Sequence, residues 1–298
     1  MKKILYIFVV LLIAGCSDMD VYNDIVDAPS IMSEKSNTDQ YSALLEQARW
    51  GNSDAYLKLA GFYHDGIGVK ADFMGMMSML AMADQYGASN KTIDSYLFAL
   101  PETDNTRLTV EAFASLARKN MFKTDSLTEL LIANGSAEGY ALKGILQIER
   151  GDTLGGKRTI QTSADMGSSF AKLILCAVPM PGSKNNTIDM DMLKDLSVST
   201  PLASKLLGDY YSGYEKGYTE DEHLAAYYYK KADEQGCLGK RPARYLINYY
   251  EGNGINIEPK EMERLRILSG NTAPNVYIPD SIAVDIDCID TDSVVVSE

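Results

Sequence analysis

Between residues 39 and 270, apolar side chains recur at the three-to-four-residue spacing of amphipathic helices, and glycines interrupt them at intervals. Leu57, Phe62, Met76, Met79, Leu80 and Ala83 mark the inward stripes of one helix pair. Its first helix is expected from about Asp54 to His64, followed by a turn at Gly66-Ile67-Gly68-Val69. Its second runs to about Gln85. Asp72 stands where that helix needs an N-cap, and Gly87 stops it. Ala60, Gly61 and Ala83 are small enough to let neighbouring helices approach closely.

The pair repeats. Its ending, Ala83-Asp84-Gln85-Tyr86-Gly87, returns as Ser163-Ala164-Asp165-Met166-Gly167 and as Lys231-Ala232-Asp233-Glu234-Gln235-Gly236. Weaker versions are Ile132-Ala133-Asn134-Gly135 and Ile267-Leu268-Ser269-Gly270. Gly51, Gly87, Gly135, Gly167, Gly236 and Gly270 are separated by 36, 48, 32, 69 and 34 residues. The interval of 69 holds two units with a degenerate junction near Ser199. The spacing therefore predicts six units, each a helix A and a helix B, with the second unit longer than the rest.

The pattern Leu59, Phe62-Tyr63, Gly66-x-Gly68-Val69, Asp72, Ala83 and Gly87 resembles the Sel-one-like repeat, a relative of the tetratricopeptide repeat. Unit five carries Leu207-Gly208, Tyr211, Gly217-Tyr218, Asp221, Ala225, Tyr228-Tyr229, Lys231-Ala232 and Gly236. Unit six carries Ala243, Leu246, Tyr250, Gly252-Asn253-Gly254-Ile255 and Pro259, and lacks the closing alanines. Units two to four follow the family mainly in spacing. The resemblance implies an all-α chain, an α/α solenoid of about six helix-turn-helix repeats whose A helices line a concave face.

The ends of the chain read differently. Lys2 and Lys3 precede an apolar run from Ile4 to Ala14, too short for the roughly 20 residues that cross a bilayer. Residues 1–15 have the layout of a secretory signal. Leu12-Ile13-Ala14-Gly15-Cys16 resembles a bacterial lipobox, which makes Cys16 the lipidated N-terminus of the mature chain. Several acyl chains together give a stable anchor. Ser17, not aspartate, follows the cysteine, which under the enterobacterial sorting rule favours the outer membrane of a Gram-negative envelope. The acidic run Ser17-Asp18-Met19-Asp20 also looks like the surface-export signal of Bacteroidetes lipoproteins, so periplasmic and surface-exposed positions both stay open. Residues 16–38 are expected to form a flexible tether, 39–270 the solenoid and 271–298 an acidic tail. Ile282, Val284, Ile286 and Cys288 alternate with polar residues in part, as a strand would. Asp280, Asp285, Asp287, Asp290 and Asp292 favour disorder instead.

Charge narrows the partners. The formal net charge is −13, or −15 once Lys2 and Lys3 leave with the signal, which argues against nucleic acid. With Cys16 lipidated, Cys176, Cys237 and Cys288 share no short spacing and read as small apolar residues. The Gly-x-Gly turns at Gly66 and Gly252 follow no strand and are explained as helix–helix turns. Gly151-Asp152-Thr153-Leu154-Gly155-Gly156-Lys157-Arg158 has the glycine–lysine spacing of a phosphate loop. Arg158 occupies the place of the required hydroxyl, and a helix precedes the segment. Met74, Met76, Met77, Met79 and Met82 suit a packed core better than a soft-metal site. His64 falls in a loop position and His223 one turn into a B helix, each without an evident partner. No cofactor, metal site or catalytic constellation is expected, and the chain is read as a non-enzyme. Cysteine-rich relatives linked to β-lactam binding carry a disulfide per repeat, and that pairing is missing here.

Tyrosine is abundant, with 19 residues against one tryptophan. Tyr63, Tyr211, Tyr228, Tyr229 and Tyr250 fall at the family's aromatic positions and are expected in the core. Tyr214, Tyr218 and Tyr227 do not, and Lys240, Arg241 and Arg244 crowd the same region. Aromatic and arginine side chains together suit a protein interface, so these six residues are the candidate partner-binding patch. The function that follows is a membrane-tethered scaffold holding a protein or peptide in the solenoid groove. An envelope immunity or inhibitor protein is one such role among relatives. A glycan-binding surface lipoprotein and an envelope-polymer enzyme are the alternatives.

Overall fold

The computed structural model describes residues 34–177, 188–213 and 220–270. Within them lie fourteen α-helices and no strand. They are α1 (Glu34–Arg49), α2 (Ser53–Asp65), α3 (Phe73–Gln85), α4 (Asn90–Ala99), α5 (Asn105–Ala117), α6 (Met121–Ala133) and α7 (Ala137–Glu149). They continue as α8 (Thr153–Asp165), α9 (Ser169–Ala177), α10 (Met190–Leu196), α11 (Pro201–Tyr211), α12 (Glu222–Glu234), α13 (Lys240–Gly252) and α14 (Pro259–Leu268). Six consecutive pairs pack as hairpins: α2 with α3, α5 with α6, α7 with α8, α9 with α10, α11 with α12, and α13 with α14. The protein is an all-α repeat solenoid. The long second unit is not a stretched helix pair, because it holds an extra helix, α4, ahead of its hairpin. Helix α1 begins at Glu34, inside the stretch read from the sequence as tether.

The B helices of units one to five start on a side-chain cap, whereas α14 begins at Pro259 after Glu258, which makes no such bond. Asp72 accepts from the Gly75 amide at 2.7 Å, and Asn120 from Lys123 at 3.1 Å. Asp152 accepts from Gly155 at 2.8 Å, Asp189 from Met192 at 3.0 Å, and Asp221 from Leu224 at 3.0 Å. Losing such a cap costs about 1 kcal/mol. The A helices of units one, two, three, five and six end on a left-handed residue, and at Gly66, Gly151, Gly213 and Gly254 that residue is glycine. In unit two it is Lys119, at φ 58°, an uncommon conformation for a side-chain-bearing residue. The glycine–lysine segment at 151–158 is therefore a helix–helix turn, with α7 before it and Lys157 exposed on α8.

Helix α3 carries the methionine stripe inward. Met74, Met76, Met79 and Met82 are buried. Gly75 lets the Tyr63 ring lie against the helix, since a Cβ there would come within 2.3 Å of it. Cys176 and Cys237 are buried as free thiols. Burial pushes them up to about 12 and about 11. Cys288 lies outside the described residues.

The solenoid closes on itself. In an open array each repeat touches only its neighbours. Here α3 of unit one packs on α9 of unit four and α11 of unit five. Phe73 meets Phe170 edge-on at 6.3 Å, and Phe170 meets Phe113 at 5.1 Å. Ser169 Oγ donates to Asp72, and burial holds the Asp72 carboxyl above its usual range. At the seam with the last units, Arg49 Nη2 donates to Asp233 at 2.9 Å. The Arg264 guanidinium reaches the Arg49 carbonyl at 2.8 Å, and Tyr86 Oη donates to the Leu268 carbonyl at 3.4 Å. The concave face that the sequence leaves for a partner is thus covered, over α9 and α11, by the chain's own α3.

Candidate interaction surface

Four of the six residues of the expected patch, Tyr227, Lys240, Arg241 and Arg244, lie among the described residues. Tyr214 and Tyr218 lie outside the described residues, as does Cys16. Tyr227 is exposed on α12, 59% of its surface open, with its ring edge-on to Tyr228 at 5.0 Å. The three cations turn to the chain's own seams. Lys240 Nζ stands 5.9 Å from the centroid of the Tyr86 ring, Arg241 Nη2 donates to Asp209 at 2.8 Å, and Arg244 Nη2 donates to the Ser269 carbonyl at 3.2 Å. Lys240 and Arg241 hold unit six against units one and five, and Arg244 ties α13 to the end of α14 within unit six. Tyr63, Tyr228 and Tyr229 are buried as expected, and Tyr229 Oη donates to Asp209 at 2.8 Å.

Both histidines have partners that the sequence conceals. His64 lies in the last turn of α2, not in a loop. Its Nδ1 is 2.5 Å from Asp65 Oδ1 and its Nε2 3.2 Å from Asp104 Oδ2. His223 Nδ1 is 2.7 Å from Tyr249 Oη. Among the described residues, no three His, Cys, Asp or Glu side chains converge as metal ligands would, and no helix is long and apolar enough to cross a membrane.

A different surface emerges at the A–B turns of units two and three. Phe122 is the second residue of α6 and is 84% exposed. Leu154 is the second residue of α8 and is 63% exposed. Met74 holds the equivalent place in α3 and is buried, because α3 is covered by α9 and α11. The repeat thus puts an apolar side chain at this position in all three helices, and ring closure covers only the first. Arg118, Lys119 and Lys123 flank Phe122, and Arg150, Lys157 and Arg158 flank Leu154; all six are exposed.

One ion pair ties the two turns together and a second lies within unit two. Arg150 meets Asp125 of α6 at 2.5 Å, and Lys123 Nζ meets Glu111 of α5 at 3.5 Å. Lys119, Lys157 and Arg158 make no ion pair with any described residue, while Glu149 and Asp152 supply the remaining nearby negative charge. The sequence carried a signal for this edge, an apolar residue two places after the cap in units two and three.

No family model matches this chain, and no curated protein does. Solved structures similar to it include a Sel1 repeat protein from Oxalobacter formigenes, 15% identical, covering 79% of this chain and 99% of that one, with a TM-score of 0.39. Another is c5321, a protective antigen of uropathogenic Escherichia coli strains displaying an SLR fold. It is 15% identical and covers 79% of this chain and 56% of that one, with a TM-score of 0.33.

Proposed function

We propose that this protein is a membrane-tethered interaction scaffold, built on Sel-one-like repeats, that engages a protein or peptide partner at the edge formed by units two and three. The observation that carries this reading is the pair Phe122 and Leu154, bare in matching register on adjacent hairpins. A large apolar side chain gains roughly 1.5–3 kcal/mol when buried, and one left in water beside arginines has the composition of an interface. Cys16 would carry the acyl chains at the outer membrane, and the segment after it would set the solenoid off the bilayer. The covered inner face supports an edge contact over a groove contact.

The test uses the full-length protein in its own envelope. Partner recovered by affinity capture from solubilised membranes is compared between wild type and the double variant Phe122→Ser, Leu154→Ser. If both side chains are hot spots, each contributes about 2 kcal/mol or more, and the variant recovers less than a tenth of the partner. Undiminished recovery overturns the edge reading. Cys16→Ser should release the protein into the soluble fraction, and retention on the membrane overturns the anchor.

A further inference from the structure

We infer that the chain's own acidic tail, residues 280–298, docks on this basic and apolar edge and holds it until a partner competes. The inference rests on the reading of the edge as a binding surface and names its resident ligand.

Charge complementarity comes first. From residue 271 to the end the chain contains no lysine or arginine, but it has Asp280, Asp285, Asp287, Asp290, Asp292 and Glu298. The edge offers Lys119, Lys157 and Arg158, exposed cations that make no ion pair with a described residue, in a protein of net charge −13. Lys119 adds a second sign. Its left-handed backbone would be relaxed by the glycine that units one, three, five and six use at the same turn, so its charge is kept at a cost in stability.

Side-chain pattern comes second. In an extended segment alternate residues share a face. Ile282, Val284, Ile286 and Cys288 fall on one face, and Asp285 and Asp287 on the other. An apolar face with an acidic border matches a surface whose centre is Phe122 and Leu154 and whose border is lysine and arginine.

Reach comes third. Gly270 follows the C-terminus of a B helix, whereas Phe122 and Leu154 stand at the N-termini of B helices. The tail must run the length of a thirteen-residue helix, about 20 Å, and part of the way around the ring. The nine residues from 271 to 279 span about 30 Å when extended, and the docking segment adds its own length.

The experiment is zero-length carbodiimide cross-linking of the full mature chain at low salt. An equimolar mixture of isotopically light and heavy protein is used, and the peptides are read by mass spectrometry. Cross-links from Lys119, Lys123 or Lys157 to Asp285, Asp287, Asp290 or Asp292 are expected within single chains, and they should fade as salt rises. The variant Phe122→Ser, Leu154→Ser should lose most of them while keeping the local Lys123–Glu111 link as a folding control. Three results overturn the inference. One is tail links spread evenly over distant lysines such as Lys58, Lys91 and Lys172, and another is tail links only between light and heavy copies. The third is a normal Lys123–Glu111 link with no tail link at the edge. If any of these occurs while partner recovery still depends on Phe122 and Leu154, the edge remains a partner site and only its self-occupation fails.

Discussion

Arg264 grips the carboxylate of Asp233 through two parallel hydrogen bonds, 2.8 Å from Nη1 and 2.5 Å from Nη2, with both side chains buried. The same guanidinium donates to the Arg49 carbonyl and to Glu261, and Arg49 in turn donates to Asp233. This cluster joins the end of α1 to α12 and α14, and so fastens the first part of the chain to the last. Truncating one member of a buried pair strands the other charge, at about 3–5 kcal/mol. Arg264→Ala and Asp233→Ala should each lower the unfolding free energy, measured by urea titration, by that amount. A loss below 1 kcal/mol would mean that the pair is solvated.

The cluster also sets a pH dependence. Its hydrogen bond to Arg264 holds the Glu261 carboxyl below the usual carboxylate range. The folded state therefore binds this proton less readily than the unfolded chain. Its contribution is complete above the unfolded carboxylate value of about 4.3 and is lost as pH falls through the lower folded value. Asp72, held high by burial, has the opposite sign and favours the fold as it protonates. Glu261→Gln should flatten the acid limb of a stability-against-pH curve measured in urea, and Asp72→Asn should steepen it. An unchanged acid limb in both variants would count against these assignments.

The turn of unit two offers a stabilising change. Lys119→Gly relieves the left-handed strain and should raise unfolding free energy by about 1 kcal/mol. The same change removes a cation from the edge, so it should strengthen the fold and weaken tail cross-linking together. A destabilised variant would show that Lys119 has a packing role.

The thiols of Cys176 and Cys237, pushed up to about 12 and about 11 and shut in the core, should resist alkylation at pH 8 in the native protein. Both should react promptly in 6 M guanidinium, as followed by peptide mass. Fast native labelling would show that the core opens locally.

Much of the fold was legible because it is written in local chemistry. Caps at Asp72 and Asp221, turns at Gly66 and Gly254, and inward residues at Met76, Met79 and Ala83 all act within one hairpin. What was hidden depends on distance in sequence. Asp233 sits at the repeat position of Asp84 and Asp165, both exposed, and only the approach of Arg49 and Arg264 buries it. The same closure drew Lys240 and Arg241 to seams between units and left Phe122 and Leu154 bare. The helix α4 escaped because its apolar contacts, Ile93 and Leu97, are too few to mark a unit.

Closure itself can be tested by coupling. Asp72 and Ser169 are 97 residues apart and meet only because unit one lies against unit four. A double-mutant cycle with Asp72→Ala and Ser169→Ala should give a coupling of about 1 kcal/mol or more, as a hydrogen bond to a charged group does. Zero coupling would describe an open solenoid.

The edge is tested most directly by photo-cross-linking in the intact envelope, with a benzophenone side chain placed singly at position 122, 154 or 227. The account predicts one discrete partner adduct shared by positions 122 and 154 and absent at 227. An adduct at 227 alone, or none at 122 and 154 while 227 reacts, would return the partner to the α12 surface and contradict it.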